Sequence, residues 1–144
     1  MYDNPWLLNN KPFTSEMIGN YIGFVYEITD LSNNKKYIGK KNFYSTRKLP
    51  PLKGKVKKRK KVAESDWKEY YGSSEEVKLL VEKNGANNFK REILHLCESK
   101  GIMTYWEAKI QFERDVLLRD DYYNEFIGCK IHSSHLKKLR NEDD

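Results

Sequence analysis

Residues 21–39 read YIGFVYEITDLSNNKKYIG, and this stretch predicts the centre of the fold. Its first eight residues are rich in β-branched and aromatic side chains, a composition typical of a β-strand. The polar run at residues 29–34 then indicates a turn, and residues 35–39 follow as a second strand. Two short strands around a polar turn form a β-hairpin, so the sequence predicts a hairpin here.

Beyond the hairpin, helical and strand patterns alternate along the chain. Ser73 and Glu76 have the spacing of a capping box at a helix start, and Gly85 suits the end of that helix. Residues 89–97 (FKREILHLC) predict a third strand, and residues 104–118 carry the longest helical pattern. This order of elements predicts an α+β fold in which helices flank a small three-stranded antiparallel sheet.

The chain has 144 residues, a length that fits one domain. Trp6 and Phe13 are expected to anchor an otherwise irregular N-terminal arm. Residues 48–61 (KLPPLKGKVKKRKK) contain proline and glycine but no apolar period, so we expect a basic loop inserted in the domain. The predicted organisation is an arm at residues 1–20, a domain at 21–128 and a polar tail at 129–144.

Basic residues are concentrated in one part of the chain. The net charge is +6, yet residues 31–63 hold thirteen Lys or Arg and no Asp or Glu, which leaves −7 for the rest. A basic block on an otherwise acidic chain is the electrostatic footprint of a polyanion partner, with nucleic acid first. The alternative is a solvated lysine-rich loop that only improves solubility.

Composition argues against several other classes of protein. No apolar run approaches the ~18 residues of a membrane span, so no membrane partner is expected. The N-terminus lacks the basic and apolar regions of a secretory signal. Cys97 and Cys129 are too few for a disulfide scaffold and fit a reduced, cytoplasmic protein. At 13% aromatic residues, the chain is too aromatic to be disordered.

Residues suited to phosphate chemistry are spaced along the chain. Tyr26 ends the run FVY in the first strand and Tyr37 begins YIG in the second, so both can point to one face of the sheet. Cations follow the second strand, a glutamate lies in the long helix and an amide comes after it. The candidate site residues are Tyr26, Tyr37, Lys40, Arg47, Glu107 and Asn124.

These motifs resemble the GIY-YIG nuclease family. The first motif is present as FVY within GFVY, the second is an intact YIG, and the arginine, the helical glutamate and the late asparagine follow in the family's order. The resemblance covers roughly residues 23–127, about three quarters of the chain. The run WKEYYGSS at residues 67–74 is similar to small phage-encoded members, which are related to homing endonucleases.

The resemblance implies a GIY-YIG-like fold and hydrolysis of DNA phosphodiester bonds with one divalent metal ion, Mg²⁺ or Mn²⁺. Duplex DNA is the expected partner, and the host-cell cytoplasm is the expected location if a phage encodes the protein. One site cuts one strand, so a double-strand break would need an oligomer or successive nicks.

Four candidate residues have expected roles at the reacting phosphate. Glu107 is expected to anchor Mg²⁺, which takes its other ligands from water and phosphate. Arg47 offers a planar fork that matches phosphate oxygens. Tyr26 is expected to help activate the water, which requires either a pKa below the ordinary ~10 of tyrosine or a metal-bound relay. Lys40 is the neighbouring cation expected to lower that pKa.

The remaining candidates position the substrate. Tyr37 is expected to place the water or the scissile phosphate, and Asn124 to brace the site, since its amide cannot titrate. The basic residues neutralise phosphates along the duplex, and such contacts position a protein without reading bases. These DNA-binding candidates are Lys41, Lys53, Lys55, Lys57, Lys58, Arg59, Lys60 and Lys61.

Several alternatives remain open. The two motif tyrosines could be strand aromatics that only fill one face of the sheet. Glu107 lies three residues after Thr104 and could be its capping-box partner rather than a metal ligand. Other carboxylates that could hold the metal are Glu92, Glu98 and Glu113.

One departure from the family pattern bears on catalysis. Family members usually carry Tyr or His one helical turn after the arginine, and here that position is Pro51. The role could have moved to Tyr44, Tyr70 or Tyr71. It could also have been lost, in which case the chain would be a catalytically inactive nucleic-acid-binding module.

Overall fold

The computed structural model describes residues 4–142, so residues 1–3 of the predicted arm and 143–144 of the predicted tail lie outside the described part. The strands are β1 (Leu7–Leu8), β2 (Lys11–Pro12), β3 (Gly23–Asp30), β4 (Lys36–Asn42), β5 (Tyr44–Leu49), β6 (Arg59–Glu64) and β7 (Phe89–Cys97). The helices are α1 (Glu75–Asn84), α2 (Lys100–Glu113) and α3 (Lys137–Glu142). Within residues 4–142, none of the helices has the length and apolar character that crossing a membrane requires.

A five-stranded mixed sheet in the order β2-β1-β7-β3-β4 forms the centre of the fold. Strands β3, β4 and β7 are antiparallel neighbours, and Tyr26 of β3 lies between Gly39 of β4 and Ile93 of β7. The predicted hairpin and third strand are therefore confirmed, as is the α+β class. The three-stranded antiparallel sheet is wrong in detail, because β1 pairs with β7 in parallel and β2 pairs with β1.

The two additional strands come from the segment predicted to be irregular. Each is two residues long, too short to show a strand period in the sequence. Asn9 and Asn10 connect them with φ angles of 53° and 67°, and a type I′ hairpin turn requires positive φ at both positions. Trp6 and Phe13 flank this hairpin and are 0% and 1% exposed, which confirms them as anchors.

The central sheet separates two hydrophobic cores. On one face, Phe24 and Tyr26 pack against Trp6, with ring centroids 4.9 and 5.1 Å from the indole. On the other face, Val25 and Ile38 belong to the cluster that packs under α2. Successive side chains of a strand point to opposite faces, so β3 contributes to both cores. All eight residues of β3 are buried, which makes it the central strand.

Both ends of the predicted basic loop belong to a two-stranded antiparallel ribbon. Strands β5 and β6 pair from Tyr44 opposite Glu64 at the base to Leu49 opposite Arg59 near the tip, and residues 50–58 connect them. The prediction of a loop over residues 48–61 is therefore wrong at 48–49 and 59–61. Both faces of the ribbon are exposed, so no alternation of apolar and polar residues marks the strands in the sequence.

Helix α1 agrees with its prediction to within two residues, with Ser74 as its N-cap and Gly85 after it at a φ of 88°. Helix α2 begins earlier than predicted, at Lys100 rather than 104, and it ends at Glu113 rather than 118. Ser99 caps it, because its Oγ accepts a hydrogen bond from the N–H of Ile102 at 3.2 Å. The glycine at position 101 lies in the first turn and weakens the helical signal there.

The chain after α2 returns to the outer edge of β4. The N–H of Lys36 donates to the carbonyl of Asp121 at 2.9 Å, and the N–H of Tyr123 donates to the carbonyl of Lys36 at 2.7 Å. The residues that follow Tyr123 are thereby held beside the YIG motif of β4. Farther along, the polar tail folds back on α2, where a Cβ at Gly101 would lie 2.5 Å from the Cβ of His135.

Candidate active site

The ring of Tyr26 crosses the backbone of Gly39 on the neighbouring strand. A Cβ at Gly39 would lie 2.4 Å from the Tyr26 hydroxyl oxygen and 2.7 Å from its Cζ, closer than any side chain allows. The glycine of YIG is therefore needed for the close approach of this ring. Tyr37 and Tyr70 lie beside Tyr26, with ring centroids 6.3 and 5.9 Å away. The structure thus brings the two motif tyrosines together and adds a third.

The hydroxyl of Tyr26 is buried near that of Tyr70 but makes no well-formed hydrogen bond with any of the described residues. The whole residue is 0% exposed. Burial, followed by the adjacent Tyr70 and Tyr37, raises the pKa of Tyr26 well above its ordinary value. The expectation that Lys40 lowers this pKa is therefore wrong, because desolvation is larger here and the Lys40 ammonium is engaged elsewhere. A buried hydroxyl without a well-formed hydrogen bond is destabilising.

Tyr37 lies at the more open side of the cluster. It is half-buried, and its hydroxyl lies 2.9 Å from the Oγ of Ser73. Burial raises the pKa of Tyr37, the hydrogen bond to Ser73 partly opposes that rise, and Tyr70 and the carboxylates of Glu107 and Glu125 add to it. Gly72, at a φ of 97°, turns the chain beneath both motif tyrosines, and a Cβ there would touch each of them at 3.5 Å. The rim of the cluster therefore consists of a phenol and a serine hydroxyl.

Glu107 lies on α2, which packs on the opposite face of the sheet from Tyr26, and it has one cation beside it. The Nζ of Lys40 lies 3.9 Å from the Glu107 Oε1 and donates a hydrogen bond to the Thr104 Oγ1 at 2.9 Å. Burial raises the pKa of the Glu107 carboxyl, and the positive charge of Lys40 partly opposes that rise. The negative charge of Glu107 in turn raises the pKa of Tyr26 and Tyr37. The carboxylate is thus electrostatically coupled to both phenols.

The capping-box alternative for Glu107 is wrong. Helix α2 begins at Lys100, so Glu107 lies in its second turn, and the hydroxyl of Thr104 donates to the carbonyl of Lys100 at 3.0 Å. The alternative metal ligands lie elsewhere. Glu113 is exposed at the end of α2, Glu98 pairs with Lys138, and Glu92 lies 3.7 Å from the Nζ of Lys90.

Asn124 holds the middle of the YIG motif from outside the sheet. Its Oδ1 accepts a hydrogen bond from the N–H of Ile38 at 3.0 Å, and its Nδ2 donates to the carbonyl of Ile38 at 2.8 Å. The Nε2 of Gln111 donates to the same carbonyl at 3.0 Å. Both amides are buried, so the edge strand is fixed between α2 and the segment that follows it.

Comparison with known proteins identifies this arrangement. A family model described as "Putative endonuclease segE, GIY-YIG domain" matches residues 6–127. The chain belongs to the GIY-YIG endonuclease family. It therefore carries a nuclease domain, and the tyrosine cluster lies on the two strands that give the family its name.

One relative supports the assignment of the chain to the GIY-YIG family. The chain is 33% identical over 104 residues to a protein of Enterobacteria phage T4 described as "Putative endonuclease segD". The aligned region is 72% of this chain but only 37% of that protein, so the chain spans well under half of its relative. No solved structure matches the chain.

Arg47 is not brought to the tyrosine cluster of the GIY-YIG domain. It lies on the exposed ribbon strand β5 opposite Lys61, and among residues 4–142 no hydrogen bond or ion pair joins it to Glu107 or the motif tyrosines. Since Arg47 is in a strand, Pro51 is not one helical turn away from it, and the residue that takes the role of the family's Tyr or His stays a prediction. Of the three substitute tyrosines, Tyr70 lies against Tyr26.

The other basic candidates divide into two groups. Lys41 is engaged within the domain, where its Nζ lies 2.6 Å from the Asp66 Oδ1 and 4.1 Å from the centroid of the Tyr70 ring. The remaining residues are exposed on the ribbon or its connecting loop, and their role in DNA binding stays a prediction. They are Lys53, Lys55, Lys57, Lys58, Arg59, Lys60 and Lys61.

Sequence reasoning missed three polar side chains of this region. Ser73 and Thr104 were considered only as helix caps, although their hydroxyls contact Tyr37 and Lys40. Glu27 is a carboxylate only 6% exposed that pairs with Arg114 and with Lys36. For Glu27, the available signal was the polar stripe of the long helix, which contains its partner Arg114. This stripe faces β4, because its members bind this edge strand and the neighbouring strand β3. The stripe consists of Glu107, Gln111 and Arg114.

The donor set at Glu107 fits one hard divalent cation. Within the described residues, no group of three or more His, Cys, Asp or Glu side chains could enclose a metal ion. Mg²⁺ commonly binds through one or two carboxylates and keeps water or substrate phosphate as its other ligands. A single, largely desolvated carboxylate suits this mode of binding. Burial raises the pKa of Glu107, and a bound cation would stabilise the negative charge that burial disfavours.

Proposed function

We propose that this chain is an endonuclease that hydrolyses phosphodiester bonds of duplex DNA with one Mg²⁺ or Mn²⁺ ion. The observation that carries the proposal is the pair of Glu107 and Lys40, with the Lys40 Nζ 3.9 Å from a carboxylate that is electrostatically coupled to Tyr26 and Tyr37. One carboxylate, one ammonium and phenol hydroxyls together offer a metal ligand, a phosphate-binding cation and groups that bind water.

Glu107 is the residue proposed to hold the metal ion. When bound, the ion supplies charge stabilisation at the phosphate and polarises water. Lys40 is proposed to bind an oxygen of the same phosphate. Its ammonium can exchange the Glu107 carboxylate for the incoming phosphate and so keeps an anionic partner throughout. The hydroxyl of Thr104, 2.9 Å from the Lys40 Nζ, holds the ammonium in place for this exchange.

The tyrosines are proposed to position the water and the phosphate. Their raised pKa values keep both phenols neutral in the absence of substrate, so each hydroxyl can donate one hydrogen bond and accept another. Tyr37, at the open rim, is proposed to bind substrate first, and Tyr26 to assist activation of the water from its buried position beside Tyr37 and Tyr70. A neutral phenol orients water, and a cation bound at Glu107 would favour removal of the phenolic proton.

Two further candidates are proposed to act around this centre. Asn124 positions the YIG strand through its two hydrogen bonds to Ile38. Arg47 is proposed to hold a phosphate from the ribbon rather than the one that reacts, because the structure places it in the exposed strand β5. The phage origin of the T4 relative supports a role in the cytoplasm of an infected cell.

A plasmid assay tests the proposal. The protein is incubated with supercoiled DNA in Mg²⁺, in Mn²⁺ and with a chelator, and nicked and linear products are measured over time. We expect nicked circles to form with either metal ion and not with the chelator. Binding without nicks under any condition would contradict the proposal and favour an inactive binding module. Nicks that persist in chelator would contradict the metal requirement.

A further inference from the structure

The two faces of the β5–β6 ribbon carry different side chains. Paired residues of antiparallel strands point to the same face, and successive residues point to opposite faces. The near face, as defined by this register, consists of Tyr44, Thr46, Lys48, Lys60, Val62 and Glu64. The far face consists of Ser45, Arg47, Leu49, Arg59, Lys61 and Ala63.

The near face is directed toward a groove that Lys40 of the candidate active site also lines. A groove of about 750 Å³ separates the ribbon from the start of α2, and Lys40 lies in its wall. Tyr44, Thr46 and Val62 of the near face line this groove, whereas only Ser45 lines it from the far face. A duplex whose phosphate lies beside Lys40 would therefore meet the ribbon from its near face.

The ribbon is fixed at its base and free along its length. At the base, the N–H of Ser65 donates to the carbonyl of Phe43 at 2.7 Å, and the Trp67 indole N–H donates to the Glu64 carboxylate at 2.7 Å. Above the base, every residue of the two strands except Leu49 is exposed. The side chains of the ribbon are therefore presented to a partner in a defined register.

The charges of the ribbon favour an anionic partner. Arg47 lies opposite Lys61 and Lys48 lies opposite Lys60, and like charges at directly opposite positions destabilise a strand pair. No acidic side chain lies in residues 44–63 to offset this repulsion. A polyanion that lies between these cations would relieve the repulsion. A lysine-rich surface that only improves solubility would not need such opposed cations.

The dimensions of the ribbon fit one groove of duplex DNA. Six paired residues at ~3.4 Å each span about 20 Å. The major groove of B-form DNA, about 12 Å wide, admits a two-stranded ribbon, whereas the minor groove, about 6 Å wide, does not. The deep, narrow major groove of A-form RNA is closed to side chains. The partner that fits is therefore duplex DNA entered from its major groove.

We infer that the β5–β6 ribbon enters the major groove with its near face toward the base edges and gives the nuclease a sequence preference beside the cut. This inference rests on the proposed function. Lys48 and Lys60 can donate to the O6 and N7 of guanine, and the methyl groups of Thr46 and Val62 can contact the methyl group of thymine. The cations of the far face and of the connecting loop bind the phosphates on either side.

A matched pair of variants tests the inference. Lys60→Ala and Lys61→Ala remove the same charge from adjacent residues on opposite faces. Each variant and the unmodified protein are used to select bound duplexes from a randomised pool in chelator, and the bases enriched at each position are determined by sequencing. The chelator prevents proposed metal-dependent cleavage, so selection reports binding alone.

We expect the unmodified protein to enrich a short guanine-containing motif and Lys60→Ala to reduce that enrichment at one position by roughly five- to tenfold. Lys61→Ala should weaken binding to all duplexes alike and leave the motif unchanged. The double variant Thr46→Ala/Val62→Ala should reduce enrichment at a thymine position. The inference is overturned if the unmodified protein enriches no motif or if Lys60→Ala and Lys61→Ala behave alike. A motif in binding without metal-dependent nicks would refute only the proposed cleavage.

Discussion

Replacement of Tyr26 by Phe should make the protein more stable and less active. The variant keeps the ring, which packs between Trp6 and Tyr70 at centroid distances of 5.1 and 5.9 Å, and removes only the hydroxyl. That hydroxyl is buried without a well-formed hydrogen bond in the described part of the chain, and such a group costs about 1–3 kcal/mol. We expect a gain of about 1–2 kcal/mol, which corresponds to a rise in Tm of roughly 3–8 °C for a chain of this size.

The matched control for this prediction is Tyr37→Phe. The Tyr37 hydroxyl has a partner, the Oγ of Ser73 at 2.9 Å, so its removal should leave Tm unchanged or lower it slightly. Thermal unfolding followed by circular dichroism gives both values, and a single-turnover cleavage assay gives the rate. We expect the rate of Tyr26→Phe to fall by at least about 100-fold.

Two results would refute the reasoning for Tyr26. A Tm below that of the unmodified protein would show that the hydroxyl has a hydrogen-bond partner in solution. A raised Tm with an unchanged cleavage rate would return Tyr26 to the role of a core aromatic residue.

Further predictions concern the YIG glycine and the ribbon loop. Gly39→Ala should lower stability by about 1–3 kcal/mol, because its Cβ would lie 2.4 Å from a buried phenol, and denaturant unfolding would contradict this if the midpoint stayed unchanged. Replacing four loop lysines by glutamine should reduce the slope of log binding constant against log salt concentration by roughly 2 to 4 for duplex DNA. An unchanged slope would show that the loop is solvated surface. These lysines are Lys53, Lys55, Lys57 and Lys58.

Sequence patterns identified the central elements because burial imposes a period on them. The central hairpin and the strand at residues 89–97 have one or both faces buried, which selects apolar and aromatic side chains at defined spacings. The motif tyrosines and Gly39 could be placed together for the same reason, since antiparallel register fixes which residues face each other.

Elements without a buried face left no comparable signal. The ribbon strands are exposed on both sides, and β1 and β2 are two residues long, so pairing there depends on the turns and on the neighbouring chain. The expected effect of Lys40 on the pKa of Tyr26 was wrong for a different reason. The side chains of β4 alternate between faces, so Lys40 points toward α2 with Ile38, whereas Tyr26 lies on the opposite face.

The most direct test of the central claim is the single-turnover cleavage rate of Glu107→Gln at saturating Mg²⁺, compared with Glu113→Gln. Both substitutions remove one carboxylate from the same helix, but Glu107 lies beside Lys40 and Glu113 is exposed. We predict that Glu107→Gln loses at least about 100-fold in rate while it binds duplex normally in chelator, and that Glu113→Gln stays within about twofold of the unmodified protein. A normal rate for Glu107→Gln would contradict the claim that this carboxylate holds the catalytic metal ion.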